Sequence, residues 1–286
     1  MADPQVLDLL DPTRTAWQGG GPRPVRTLLW RPTPDQRRAH PLVVVSHGSG
    51  GAPEDLAWLA EPLSSKGFLV AAVRHHGNHN DENLPEGMSF WWERAPDLSV
   101  VVDHLERTES LASVGVVGYS LGGYAAAAVL GARIDSGKLK RLYAGEAVLP
   151  IPPGRPDIVA EVAGLLARHG GRDAVTARAV TDFRDRRFGA GVLLAPAICP
   201  ILDDESLAAI RRPVLVRWGD ADDVEAPDHN GRRYARLIPG ADGRSMGEQV
   251  GHFAFGDGDG GDQDAAVHES VAAEALAFFG SHLAVG

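Results

Sequence analysis

A serine hydroxyl becomes a nucleophile only when a base takes its proton and a carboxylate orients that base. This chain carries residues spaced for all three. Gly118-Tyr119-Ser120-Leu121-Gly122 follows an apolar, β-branched run and precedes the Ala-rich stretch 124–130. A serine on a sharp strand-to-helix turn is held in strained backbone geometry, and glycines two residues to either side let neighbouring backbone approach. Ser120 is therefore the candidate nucleophile, with its hydroxyl presented at a helix N-terminus.

Where a serine is presented in this way, the order along the chain is serine, acid, histidine. The histidines beyond the apolar run 214–218 are His229, His252, His268 and His282. His229 follows that run too closely, and His268 and His282 fall within a helical pattern. His252, in Gly251-His252-Phe253-Ala254-Phe255, follows an extended stretch and precedes the last helix, so it is the candidate base. For the acid, Gly219-Asp220-Ala221-Asp222-Asp223 offers three carboxylates after a buried strand. Gly219 makes the turn and a residue three positions on reaches back under the imidazole, which ranks Asp222 ahead of Asp223 and Asp220. Asp203 and Asp204, after the preceding strand, form a weaker site.

A developing oxyanion needs donors as well. His47-Gly48-Ser49-Gly50-Gly51 directly follows the run 42–46, and a glycine-rich turn there can aim backbone N–H groups at the charge. The N–H groups of Ser49 and Leu121 are the candidates, and His47 is expected to pack under the loop rather than transfer protons. The loop Arg74-His75-His76-Gly77-Asn78-His79 should border the same end of the sheet, placing His75 in contact with substrate. A metal at His75 and His79 is not expected, because Gly77-Asn78 favours a turn over the helix that would align them. Residues 257–262 resemble a calcium loop only loosely, since Asp262 stands where a glycine is required and no glutamate occupies the twelfth position. Trp91 and Trp92 are both candidates to line an apolar acyl pocket, the alternative for a buried tryptophan being plain core.

These residues need a scaffold, and the chain's periodicity supplies one. Apolar runs at 25–30, 42–46, 68–73, 114–118, 192–195 and 214–218 are several of them apolar throughout, as in strands covered on both faces of a parallel sheet. Between them lie helical patterns. In 95–109, Leu98, Val101, Val102 and Leu105 form one stripe, with Pro96 in the first turn. Near the C-terminus Val267, Val271, Ala275 and Phe278 repeat before Gly280, predicting a closing helix. Strand–helix alternation means an α/β fold. The stretch 131–181 breaks the rhythm with Pro150, Pro152, Pro153 and Pro156, then an Ala/Arg-rich helical pattern and Gly170-Gly171, and reads as a helical cap inserted in one domain of 286 residues.

Composition narrows the classes. Hydrophobic residues are 44% and charged residues 23%, enough for a large core. With 28 basic and 38 acidic residues the net charge is −10, which opposes a nucleic-acid or anionic-membrane partner. The single cysteine, Cys199, allows no internal disulfide and no thiolate cluster. The first residues lack the basic flank and apolar stretch of a secretory signal, so a cytoplasmic protein is expected. The longest uncharged run, 111–132, is broken by Gly115, Gly118, Ser120, Gly122 and Gly123, and reads as strand, turn and helix rather than a membrane span.

Residues 41–51 (PLVVVSHGSGG), 92–99 (WERAPDLS), 116–124 (VVGYSLGGY) and 251–255 (GHFAF) together resemble the α/β-hydrolase superfamily, within it the bacterial dienelactone-hydrolase-like and platelet-activating-factor-acetylhydrolase-like branch. Residues 11–14 (DPTR) and 24–30 (PVRTLLW) resemble that branch's entry strand. The likeness covers residues 10–130 and 183–280 and leaves the cap unmatched. It implies an α/β-hydrolase fold, a mostly parallel sheet flanked by helices, and a cofactor-free serine hydrolase acting on esters. It also assigns nucleophile, acid and base to Ser120, Asp222 and His252. The chain has serine where true dienelactone hydrolases have cysteine, and it lacks the signal and cysteines of secreted relatives, which argues against dienelactone and phospholipid as substrates. The expected activity is ester hydrolysis through an acyl-enzyme. Amide hydrolysis and acyl transfer would use the same groups, and a non-catalytic ligand receptor is the rival of another class.

Overall fold

The computed structural model describes residues 3–32, 39–146, 158–256 and 261–283. Eight strands form the main sheet: β1 (Gln5–Thr15), β2 (Pro22–Trp30), β3 (His40–Ser46), β4 (Leu69–His75), β5 (Leu111–Tyr119), β6 (Phe188–Leu194), β7 (Val214–Trp218) and β8 (Asp242–Ser245). Their order is β1-β2-β4-β3-β5-β6-β7-β8. The pairs β1/β2 and β2/β4 are antiparallel, and every pair from β4/β3 to β7/β8 is parallel.

The parallel strands are apolar throughout because both of their faces are covered. In β3, Val43 and Val45 point into one layer and Leu42 and Val44 into the other. The first layer is completed by Leu59 and Leu63 of α1 (Ala57–Ser65) and by a long C-terminal helix. On the other face, Leu98, Val101, Val102 and Leu105 form the predicted stripe, here on a helix spanning Arg94–Thr108, and pack with the fully buried helix Leu121–Leu130. The uncharged run 111–132 is thus β5, a turn and that helix. Among the described residues no helix is long and apolar enough to cross a membrane.

Two strands have no counterpart among the apolar runs. β1 is an edge strand with Val6 and Leu10 exposed, and β8, with sequence DGRS, buries no residue at all. Edge strands are held by backbone pairing on one side, so their side chains carry little apolar pattern. The closing helix, Asp262–His282, runs through Gly280, and its buried stripe is Val267, Val271, Ala275 and Phe279. Phe278, expected on that stripe, is only half-buried, because a strict four-residue step from Val267 reaches 279.

Among its described residues, the segment 131–181 between β5 and β6 holds the helices Ser136–Tyr143, Ile158–Arg168 and Gly171–Ala179. Leu139, Leu165, Val175 and Ala179 join the core layer of the Arg94–Thr108 helix. The helix Ile158–Arg168 packs on a short helix, Pro85–Ser89, which precedes Trp91. Pro150, Pro152, Pro153 and Pro156 lie outside the described residues, as does 257–260 of the calcium-like loop; Asp262 opens the last helix.

Candidate active site

Ser120 sits between β5 and the helix Leu121–Leu130 at φ 54°, ψ −118°, a conformation that costs a non-glycine residue about 1–3 kcal/mol. The surroundings hold it there. Its N–H donates to Leu194 O at 2.9 Å, and its carbonyl accepts from Gly123 N at 2.9 Å and Ala197 N at 3.0 Å. The flanking glycines are required by contact: a Cβ on Gly118 would lie 1.9 Å from Gly122 O, and one on Gly122 would lie 2.0 Å from Ser46 O.

His252 begins a one-turn 3-10 segment, His252–Phe255, ahead of the last helix. Its Nε2 is 2.9 Å from Ser120 Oγ and its Nδ1 is 2.8 Å from Asp222 Oδ2. Tyr119 OH donates to the His252 carbonyl at 3.2 Å, and the two rings tilt against each other at 5.3 Å. Asp222 is aimed by its own turn, since its Oδ1 accepts from Val224 N at 3.1 Å and Glu225 N at 2.7 Å. Gly219 permits that turn: a Cβ there would lie 2.0 Å from Val250 O. Ser120, His252 and Asp222 are all buried. With Nδ1 donating to Asp222, Nε2 is left to accept the Ser120 hydroxyl proton.

The other carboxylates are occupied elsewhere. Asp220 takes Trp218 Nε1 at 3.1 Å and Arg232 at 2.7 Å, and Asp223 is exposed. Asp203 caps the helix Asp204–Ala208, while Asp204 pairs with Lys138 and Arg233.

The loop 47–51 lies directly against the serine, because a Cβ on Gly48 would touch the Tyr119 ring at 3.0 Å and Ser120 Cβ at 3.4 Å. Among the described residues no acceptor engages the Ser49 N–H. Leu121 is the first residue of its helix, where a backbone N–H has no intrahelical acceptor. His47 packs beneath the loop: its Nε2 accepts from His75 N at 3.3 Å, so Nδ1 carries the proton and donates to Gly48 O at 2.7 Å.

His75 does not reach the site. It ends β4 with its ring buried, Nδ1 2.9 Å from Asp97 Oδ2 and Nε2 2.8 Å from Ser46 Oγ. Both nitrogens are taken, so the expected substrate contact is corrected to a structural one. Burial, with Arg94 nearby, pushes His75 down to about 3, so the ring is neutral. Its partner Asp97 is held well below the usual range despite burial, by Arg23 at 2.9 Å and Arg14 at 2.6 Å. His79 lies apart, in a two-residue hairpin strand, with Nδ1 accepting from Asp81 N. Trp92 is core, fully buried with its ring tilted against Phe90 at 5.0 Å, so its candidate place in the acyl pocket is corrected to a packing one; Trp91 is half-buried, and its Nε1 donates to Met88 O at 2.7 Å. A groove of about 500 Å³ lined by Val6, Arg26, Arg74, His76 and His79 lies across β2, away from Ser120.

Three residues close to the serine carry no signal in the sequence. Arg94 and Asn78 are buried behind the loop 47–51, and Glu225 is buried beside Asp222. Only Arg94 lies in one of the segments that resemble the hydrolases, residues 92–99, and nothing local distinguishes a buried arginine from a surface one.

No protein-family model matches the chain, and no curated protein matches it either. Solved structures do. A ferulic acid esterase from Streptomyces cinnamoneus is 19% identical with a TM-score of 0.62, over 98% of this chain and 89% of that one. An alpha-beta serine hydrolase homologue from Coxiella burnetii is 14% identical with a TM-score of 0.56, over 96% and 98%. A dienelactone hydrolase from Anabaena variabilis is 16% identical with a TM-score of 0.54, over 99% and 100%. With its sheet order, its mostly parallel strands and these neighbours, the chain has the α/β-hydrolase fold.

Proposed function

We propose that the protein is a serine hydrolase that cleaves a small carboxylic ester through an acyl-enzyme. The observation that carries this is the hydrogen-bonded chain from Ser120 Oγ through His252 to Asp222, at 2.9 and 2.8 Å. Each group has the role its contacts suit. His252 Nε2 takes the Ser120 proton as Oγ bonds to the carbonyl carbon, and Asp222 orients the imidazole and stabilises its charge. The carbonyl electron pair moves onto oxygen, which the N–H groups of Ser49 and Leu121 stabilise. When the C–O bond breaks, the leaving alkoxide takes the proton from His252. Water then gives a proton to His252 and its oxygen to the acyl carbon, Ser120 leaves with the proton, and the acid departs.

On this reading the helices Ile158–Arg168 and Gly171–Ala179 of the inserted segment roof the site. His169 Nε2 is 3.0 Å from Glu86 Oε1, and Met88 of the same short helix receives the Ser49 hydroxyl at 3.8 Å, so the roof is tied to the loop 47–51. Trp91, half-buried and bonded to Met88 O of that short helix, lines the acyl side. Glu86→Gln should therefore change selectivity across esters of rising acyl length, and unchanged selectivity would reduce the segment to a surface excursion.

The main test is Ser120→Ala, with a fluorophosphonate probe and a panel of aryl and alkyl esters. The parent should take the probe and turn esters over, and the variant should do neither, with a loss in kcat on the order of 10⁶. Labelling of the variant would refute Ser120 as nucleophile. A parent that takes the probe but cleaves only matched amides, or transfers acyl groups to an added amine, would refute ester hydrolysis.

A further inference from the structure

Arg94 opens the helix that lies under the loop 47–51 and is only 2% exposed. A guanidinium so buried ordinarily faces a carboxylate. Its hydrogen bonds among the described residues go instead to uncharged oxygens: Nη1 to the His47 carbonyl, and Nη2 to the Gly48 carbonyl at 3.0 Å, the Asn78 carbonyl at 3.4 Å and Asn78 Oδ1. Asn78 Oδ1 also accepts from Gly50 N at 3.1 Å. The arginine and the asparagine together grip residues 47, 48 and 50 of the loop.

We propose that Arg94 is a positioning residue for the oxyanion site, holding the Gly48–Ser49 peptide so that its N–H faces the substrate oxygen at Ser120. This role rests on the reading of the Ser49 N–H as an oxyanion donor. A trans peptide is planar, with C=O and N–H pointing in opposite directions, so fixing the carbonyl fixes the donor. Gly48 O is fixed from several sides, by Arg94, by His47 Nδ1 at 2.7 Å and by Gly51 N at 3.4 Å. Free glycines at positions 48, 50 and 51 would otherwise let this peptide rotate.

The charge adds a second effect. A cation bonded to the carbonyl polarises the peptide and makes its N–H a stronger donor. Burial pushes Arg94 down to about 9, so the placement is costly, and the groups it holds are those beside the nucleophile rather than a distant part of the core. Lysine could replace it only in part, because a single ammonium cannot span carbonyls of three residues in a fixed plane.

Arg94→Gln, Arg94→Lys and Asn78→Ala are compared with the parent and with Ser120→Ala, using one activated ester, an alkyl trifluoromethyl ketone as a tetrahedral mimic and the product acid as a ground-state ligand. Removing an oxyanion donor outright costs about 10²–10³ in kcat, so misplacing one should cost roughly 10- to 100-fold. For Arg94→Gln we expect that loss in kcat, KM within twofold, and ketone affinity reduced by the same factor with product-acid affinity unchanged. Arg94→Lys should fall between glutamine and parent. A merely structural role would lower the melting temperature or the active fraction without separating the ketone from the product acid. Should Arg94→Gln not fold, Arg94→Lys and Asn78→Ala decide, each expected to lose kcat several-fold by the same pattern. Wild-type kcat in the folded variants, with Ser120→Ala inactive, overturns this inference and leaves the proposed function standing. A parent without Ser120-dependent turnover overturns both.

Discussion

Replacing Glu225 by glutamine should leave stability nearly unchanged at pH 4.5 and raise it by several kcal/mol at pH 8. Glu225 is 8% exposed; its Oε2 is buried without a hydrogen-bond partner, and its backbone N–H is tied to Asp222 Oδ1 at 2.7 Å. Burial, and then the neighbouring Asp222, push its carboxyl up from 4.5 to about 8. Between those values the unfolded chain releases a proton that the folded protein keeps. Stability therefore falls as pH rises, by about 1.4 kcal/mol per pH unit and roughly 5 kcal/mol over the interval. Below pH 4.5 both states are protonated and the effect vanishes; above pH 8 both are ionised and it is constant. Glutamine has nearly the same shape, keeps an oxygen for the Ile198 N–H and cannot ionise. Urea unfolding of parent and variant at half-unit steps from pH 4.5 to 9 gives the difference directly. It should start near zero, climb through pH 5 to 8 and then level. A difference that is flat with pH, or a variant less stable than the parent at pH 8, would refute the reasoning.

Other outcomes follow from single contacts. Asp222→Asn should lower kcat by about 10⁴ with little change in KM, because an amide favours the wrong imidazole tautomer and neither Asp220 nor Asp223 is placed to take over; steady-state kinetics within tenfold of the parent would contradict this. Gly122→Ala should fail to fold, since its Cβ would lie 2.0 Å from Ser46 O, whereas Gly280→Ala, with nothing within 4 Å in the last helix, should raise stability by about 0.5–1 kcal/mol. Thermal melts of the soluble fractions check both. Phe279→Ala should cost about 3–5 kcal/mol and Phe278→Ala clearly less, because only the former is fully buried; equal losses in urea unfolding would be the contrary result.

Local physics makes much of this protein legible in its sequence. Strands β3 and β5 to β7 announce themselves because both faces are covered, so nearly every residue in them is apolar. The turn at Ser120 is equally local, since its glycines answer contacts within a few residues and with the adjoining strand. β1 and β8 are silent for the complementary reason: an edge strand is held by main-chain pairing, which leaves no mark on side chains. What joins distant segments is of another kind. Ser120, Asp222 and His252 are separated by 132 and 30 positions along their two hydrogen bonds, and only the sheet order brings them to one point. Choosing Asp222 over its neighbours depends on where Val250 crosses Gly219 and where Arg232 reaches Asp220. His75 looks available in the sequence and is not, because Asp97 arrives from a helix to meet it. Arg94, Asn78 and Glu225 are invisible for the same reason. A charged or amide side chain is written identically whether water or protein surrounds it, and burial is a property of everything that packs around a residue, which the chain acquires only when it folds.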